Sequence, residues 1–373
     1  MKVLHIAAAN STSGGGEKHV ADCLREMSIR GVELGLVAPV GGDLQDISSQ
    51  LGVAYYPAPI DHGVVAPRTL IVRQAIADFA PDIIHAHGHR AALFARRADK
   101  RGAQRVVYTF HGIHVDKGML SPAKMMVEHM LKSRTAAFIA VSQADLERAI
   151  KLDIASEDKI SVVNNGIPDP KVPVSGFFRS GQDISPDEQI ILSVGRISKE
   201  KNLYGLLRIF EIAGHIFENS GKQVPRLVMV CPGTPEEFKV LQGDIAAHPF
   251  AERIILLPRQ KDLSSAYHDA DIFALASLWE GRPYVLAETL SYATPVVGYA
   301  INGNIETVVD GKSGILVKLG DEQAFAQAIF NLLTNPEQME NFGSYGAQDM
   351  RENYSIDAMI DRLLSIYQGI ISS

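Results

Sequence analysis

The chain alternates short apolar runs with longer amphipathic stretches, and it does so twice, on either side of a proline-rich interruption. That alternation specifies parallel strands joined by helical crossovers, which narrows the fold to doubly wound α/β sheets. In the first half, 3–8, 33–38, 82–86, 105–110, 137–141 and 161–164 read as strands, with helices starting near Glu17, Arg68, Arg90, Met119 and Gln143. In the second half the strands fall at 189–194, 226–231, 253–257, 271–276 and 295–298, and the helices near 202–217, 285–292, 321–333 and 336–349. Between the two series, 166–188 carries prolines at 168, 170, 173 and 186 and little periodicity, the composition of a linker. The expected organisation is an N-terminal domain over 1–170, a linker over 171–188, and a C-terminal domain over 189–352. A terminal helix within 353–373 would then cross back to the first domain. Two such domains would face one another across a cleft, with ligands held beyond the C-terminal strand ends.

Composition excludes several classes. Thirty-six basic against forty-three acidic residues give a net charge of −7, so nothing global favours nucleic acid. Cys23 and Cys231 lie far apart and have neither metal-ligand nor redox spacing. Lys2 precedes a short apolar run that reads as a first strand rather than a signal peptide, and no stretch reaches the ~20 apolar residues that cross a bilayer. The expected location is the cytoplasm, at the inner face of the membrane.

Four loops at expected strand ends carry candidate chemistry. Glu280 and Glu288 bracket a Gly281-Arg282-Pro283 turn and an apolar run Tyr284-Val285-Leu286. If most of that span is helical, the carboxylates lie ~10 Å apart, farther than the ~5–9.5 Å of a carboxylate pair flanking one bond. The spacing suits a long ligand with hydroxyls at both ends. Gly14-Gly15-Gly16 leads straight into a helix, where backbone can approach an anion closely, but it lacks the spacing of a nicotinamide-binding loop. Arg196 and Lys201 flank a loop at the start of another helix and could neutralise a departing diphosphate without metal. Asn302-Gly303-Asn304 offers further amides after the strand at 295–298.

Five motifs stand in register: Gly15-Gly16-Glu17, Thr109-Phe110-His111-Gly112, Gly195-Arg196 with Lys201, Glu280-x7-Glu288, and Val308 through Val317. Together they resemble the family-four retaining glycosyltransferases (glycosyl transferases group 1) of GT-B architecture, nearly end to end. The resemblance implies that Arg196 and Lys201 grip a donor diphosphate and Glu288 the ribose. It also implies that Glu280, with backbone amides from Gly281 to Tyr284, holds the transferred sugar, Arg282, Pro283 and Val285 counting among the donor-binding residues. His111 would sit beside that sugar, Gly15 and Gly16 would close over the phosphates, and Arg259 would lie against the nucleobase. The family usually has a glycine near Pro258-Arg259 and an apolar residue at Arg282. The implied donor is a UDP-sugar in preference to a GDP-sugar, and the acceptor a hydroxyl compound, lipid-linked or not. No cofactor and no metal are implied. Alternatives within the same architecture are a nucleotide-sugar 2-epimerase and a non-catalytic sugar-nucleotide-binding protein.

Three further features have bland readings. His85, His87 and His89 alternate as on one strand face, with His111 and His114 near, but no acidic or cysteine ligand accompanies them. His87 reads as a hydrogen-bonded structural histidine or, with Asn304, a polar lining on the acceptor side. Asp269-Ala270-Asp271 imitates a metal-binding Asp-x-Asp yet falls at a helix-to-strand junction. Arg96, Arg97, Lys100, Arg101 and Arg105, with Met119, Met125, Met126 and Met130 on a helix that also carries Lys124, form either a solvated helix face over a core or a surface for peripheral membrane contact.

Overall fold

The computed structural model describes residues 1–12, 14–61, 65–100, 105–113, 122–171 and 173–372, the side chains of 65–66 and 122–124 excepted. Expectations resting on Arg101, His114, Met119 and the side chain of Lys124 lie outside the described residues. The chain forms two compact units, Met1–Gly166 with Ile356–Ser373, and Ile167–Ser355.

The first unit is a parallel sheet of β1 (Lys2–Ala7), β2 (Glu33–Ala38), β3 (Ala54–Pro57), β4 (Ile83–His87), β5 (Val106–Phe110), β6 (Ala137–Ala140) and β7 (Ile160–Val162), in the order β3-β2-β1-β4-β5-β6-β7. Val3, Leu4, Ile6, Ile83, Ile84 and Val106 are fully buried, so both sheet faces are covered and the strands need no polar side. The register sets His5 beside His85 and Ala7 beside His87, and on the other flank His87 beside Thr109. The last helix, Ile356–Ser372, lays Met359, Ile360, Leu363 and Tyr367 into this unit's core with Val3, Leu24 and Leu36.

The second unit repeats the plan with β8 (Ile190–Val194), β9 (Arg226–Val230), β10 (Ile254–Leu257), β11 (Ile272–Leu275), β12 (Val296–Tyr299) and β13 (Gly314–Val317), in the order β10-β9-β8-β11-β12-β13, all parallel. Each sheet therefore reverses its winding once, between β1 and β4 and between β8 and β11. Crevices outside such reversals are where these sheets bind ligands. Neither β3 nor β13 is among the strands expected from sequence. Both are four-residue edge strands, partly exposed along most of their length, and turn-forming residues interrupt their apolar runs at Pro57 and at Asp310-Gly311.

Residues 171–188 belong to the second unit and are not a bare tether. Asp269 accepts the backbone N–H groups of Gly176 (2.8 Å) and Phe178 (2.9 Å), fixing the start of the short helix Phe177–Gly181. Asp271 accepts from Arg179 (2.9 Å) and from the Ile190 amide (2.7 Å). The Asp-x-Asp pair is thus structural. Burial would raise the Asp269 carboxyl, but those amides and His268 hold it below its ordinary value.

The basic cluster is not the surface patch its sequence offers. Arg96 is 1% exposed and meets Glu128 with two hydrogen bonds (2.7 and 2.9 Å), while Arg105 is buried against Asp99 at 2.8 Å. Arg97 and Lys100 do face outward, as do Met126 (59%) and Met130 (69%) on the helix Pro122–Lys132. No helix among the described residues is long and apolar enough to cross a membrane.

Candidate functional site

In the second unit, the loops leaving β8 and β11 start from neighbouring strand ends and are sewn together. Asn202 Nδ2 donates to the Ala276 carbonyl (3.1 Å), the Leu278 amide to the Glu200 carbonyl (2.8 Å), and Lys201 Nζ to Glu280 Oε1 (2.5 Å). Asn202 takes a left-handed φ of 51° between the turn Lys199–Lys201 and the helix Leu203–Asn219, a conformation asparagine tolerates. Gly205 makes room for it, because a Cβ there would lie 2.2 Å from Asn202 Nδ2. The aliphatic stem of Lys201 crosses Gly195, whose Cβ would lie 3.2 Å from Lys201 Cδ. Sequence reasoning named Lys201 and missed Asn202 and Gly205, the residues that aim it.

The Lys201–Glu280 pair is mostly buried, at 16% and 12% side-chain exposure, and Ser277 Oγ adds a hydrogen bond to Glu280 Oε1 at 2.7 Å. Arg196 stands beside this loop with 56% exposure and, among the described residues, a single ion pair at 3.8 Å with Glu200, so one cation is spent internally and the other faces solvent. Glu280 lies on the loop and Glu288 on the helix Tyr284–Ser291, which Pro283 opens. At ~1.5 Å rise per residue, Glu288 sits ~6 Å along that helix from its start. It accepts from the Tyr267 hydroxyl at 2.9 Å. Burial first, then the Glu288 charge, push that hydroxyl well above its ordinary value, so it remains a donor.

Several expected residues are committed elsewhere. The Arg282 guanidinium turns away from any ligand, donating to the Glu306 carbonyl (2.9 Å) and the Tyr354 hydroxyl (2.7 Å) and lying 4.9 Å from the Tyr354 ring centre. Only its backbone remains for a ligand. Asn304 is corrected outright as an acceptor-side residue: it is fully buried and donates to the Tyr299 carbonyl at 2.9 Å. Its neighbour Gly303 matters instead. A Cβ on Gly303 would lie 2.4 Å from the Gly281 carbonyl oxygen and 2.9 Å from Glu280 Cβ, so the turn carrying Glu280 rests directly on it. Arg259 is exposed just beyond β10.

In the first unit the corresponding strand ends hold histidines. The helix Gly15–Ile29 follows β1, and Gly16 abuts His111, since a Cβ there would lie 3.2 Å from His111 Cδ2. His111 follows β5, and Gly112 turns the chain with φ 103°. The Ile113 amide donates to Asp145 Oδ1 at 2.8 Å and Arg148 donates to the Ile113 carbonyl at 2.5 Å, which anchors the loop. His87 Nδ1 lies 3.3 Å from His111 Nε2, and His87 Nε2 lies 2.9 Å from His5 Nδ1. His85 meets Thr109 Oγ1 (2.6 Å) and the Tyr367 hydroxyl (2.5 Å), and His19 meets Asn165 Oδ1 (3.2 Å). His89 leaves the group to pair with Glu128 at 2.5 Å. Burial dominates the titration of the rest. It lowers His5 to about 3, helped by the His19 charge, and His19 to about 4 against an opposing hydrogen bond from Asn165. His85, His87 and His111 also fall well below the ordinary imidazole value.

His5, His85 and His87 bring ring nitrogens within 4.8 Å of one another. Both nitrogens of His85 and of His87 are already in hydrogen bonds, so a metal would have to break that network. His87 is 6% exposed with both ring nitrogens in hydrogen bonds, the arrangement of a structural histidine.

The matches to known proteins span both units. Residues 175–349 match the model for glycosyl transferases group 1, and residues 13–169 the model for glycosyltransferase family 4. The chain is similar to the UDP-Gal:alpha-D-GlcNAc-diphosphoundecaprenol alpha-1,3-galactosyltransferase of Escherichia coli, at 26% identity over 78% of this chain and 76% of that one. It is also similar to the capsular polysaccharide biosynthesis glycosyltransferase CapM of Staphylococcus aureus, at 26% identity over 71% and 70%. In fold it resembles Anabaena Alr3699/HepE, solved with UDP-glucose, with a TM-score of 0.85 and 18% identity over 99% and 100% of the two chains. Sucrose-phosphate synthase from Thermosynechococcus elongatus gives a TM-score of 0.84 at 16% identity, over 100% and 99%.

Proposed function

We propose a specific reaction from one premise: the chain belongs to the group 1 glycosyltransferases, of GT-B architecture. It moves a hexose from a UDP-sugar to an acceptor hydroxyl, with retention at the anomeric carbon and without a metal. The observation that carries this reading is the Lys201–Glu280 pair beside exposed Arg196, at the winding reversal of the second sheet. A diphosphate entering there meets Arg196 and Lys201, and Lys201 then bridges the phosphate and the carboxylate that holds the sugar. As the bond to the sugar breaks, charge builds on the departing diphosphate, and positioned cations and amides stabilise it where it forms. Glu288, held by Tyr267, takes the ribose hydroxyls. The amides of Gly281, Arg282 and Tyr284 take the sugar hydroxyls along with Glu280. His5, His19, His85, His87 and His111 are kept neutral by burial, and no carboxylate among the described residues is placed as a nucleophile. A donor phosphate oxygen therefore takes the acceptor's proton, with attack on the leaving-group face. The choice of UDP draws on a structural neighbour solved with UDP-glucose and on a galactosyltransferase relative whose named donor is UDP-Gal. That relative's lipid diphosphate acceptor suggests an acceptor of the same kind here, met at the inner membrane face through Arg97, Lys100, Met126 and Met130.

The test is incubation with UDP-glucose, UDP-galactose and GDP-mannose, each with and without a lipid diphosphate sugar acceptor, with and without chelator. Acceptor-dependent UDP release, chelator-resistant, with an α-product from an α-donor, is expected. An isomerised donor in the absence of acceptor would make the protein an epimerase instead, and binding without turnover would remove the enzyme reading.

Gly303→Ala provides a check on the support beneath Glu280. The added methyl cannot fit at 2.4 Å from a carbonyl oxygen, so the turn must move. Misplacement of that size costs up to ~100-fold in rate. The transfer assay on the folded variant reads it, and the thermal midpoint, expected to fall, reads separately what moving the turn costs the fold.

A further inference from the structure

His5, His87 and His111 form a chain of imidazoles: His5 Nδ1 to His87 Nε2 at 2.9 Å, then His87 Nδ1 to His111 Nε2 at 3.3 Å. A neutral imidazole carries one N–H, so each link fixes the next. If His111 donated from Nε2, His87 would donate from Nε2 to His5, and the single hydrogen of His5 would fall on its own Nε2. That atom is buried and has no partner among the described residues, and orphaned buried N–H groups are rare. The opposite direction leaves only a lone pair there. His19, in the same cluster, already shows that arrangement: its Nδ1 faces the Asn165 oxygen and its buried Nε2 has no partner.

We propose that His5 is a positioning residue that, through His87, holds His111 as its Nδ1–H tautomer, with His111 Nε2 occupied as an acceptor. His111 is then a hydrogen-bond donor through Nδ1 and has no vacant nitrogen to act as a base. This inference rests on the transferase reading for its consequence: His111 donates to an oxygen of the bound sugar or acceptor, and the acceptor's proton must leave by way of the donor phosphate. Thr109 and Tyr367 saturate His85, so that ring takes no part in the chain.

The experiment is a long-range 1H–15N correlation spectrum of the full chain with 15N-labelled histidine near neutral pH, His111 being assigned by its loss in His111→Gln. The expected result is His111 protonated on Nδ1 in the wild type. In His5→Asp, whose carboxylate can only accept from His87 Nε2, the His111 proton should move to Nε2, with kcat for transfer down about tenfold or more and UDP affinity unchanged. His5→Asn, whose Nδ2 takes the place of the ring Nδ1 as a donor, should keep the wild-type tautomer and kcat. A wild-type His111 protonated on Nε2, or a folded His5→Asp variant whose His111 tautomer does not move, overturns the proposal. Should His5→Asp fail to fold, the wild-type spectrum decides alone. The tautomer is read without turnover, so failure of the transferase reading shows separately, in the transfer assay.

Discussion

Replacing Lys201 by alanine should lower sugar transfer by ~10²–10³-fold, equivalent to ~2.7–4 kcal/mol of transition-state stabilisation. Two losses act together. The departing diphosphate loses a charge-assisted donor, and Glu280, only 12% exposed, loses its cation and keeps only the Ser277 hydroxyl at that oxygen. Arg196 cannot substitute, because it lies on the solvent side of the loop and not across Gly195. The one tryptophan, Trp279, adjoins Glu280, so its fluorescence reports whether the second unit remains folded in the variant. Transfer within a few-fold of wild type, with that signal intact, would remove Lys201 from the mechanism.

The first unit should be acid-labile well before the second. His5 and His19 are lowered to about 3 and about 4 in the fold, whereas unfolded imidazoles titrate near 6.5. Because the folded values are depressed, the unfolded chain binds more protons below pH ~6.5, and stability falls as pH falls. Above ~6.5 their contribution is fully present. Between pH ~7.5 and ~5 each costs ~2 kcal/mol, so the two together cost ~4 kcal/mol, against a typical total of ~5–15. His85, His87 and His111 act in the same direction. Thermal melts followed by circular dichroism should therefore show a component whose midpoint drops sharply over that range, while the Trp279 transition moves much less. A midpoint that is flat, or that rises on acidification, would contradict the burial of this cluster.

What sequence made legible follows from where signals are local. Inner strands such as Val3–Ile6 and Ile190–Val194 are apolar but for His5 and Ser193 because both faces are covered, and they can be read one residue at a time. Edge strands Ala54–Pro57 and Gly314–Val317 escape although they are apolar, because each is only four residues long and ends at or follows turn residues, Pro57 in one case and Asp310-Gly311 in the other. Arg196, Lys201, Glu280 and Glu288 stand out as charges at apolar strand ends. Their supports do not: Asn202, Gly205, Gly303 and Tyr267 matter through distances across strands that no spacing encodes. His5 is the clearest case. It sits alone in an apolar strand, and only the β1–β4 pairing shows that it belongs with His85 and His87. The basic cluster misleads for a related reason, since the partners that take Arg96 and Arg105 inside, Glu128 and Asp99, cannot be recognised from sequence as facing them.

The most direct measurement is the affinity of UDP relative to uridine, followed through Trp279, for the wild type and for the Arg196→Ala/Lys201→Ala double variant. Charge-assisted hydrogen bonds contribute ~1.5–3 kcal/mol each, so two of them should make UDP at least ~100-fold tighter than uridine in the wild type. In the double variant that ratio should fall below about ten, with uridine affinity little changed. A double variant that keeps the wild-type ratio would show that the phosphates bind elsewhere.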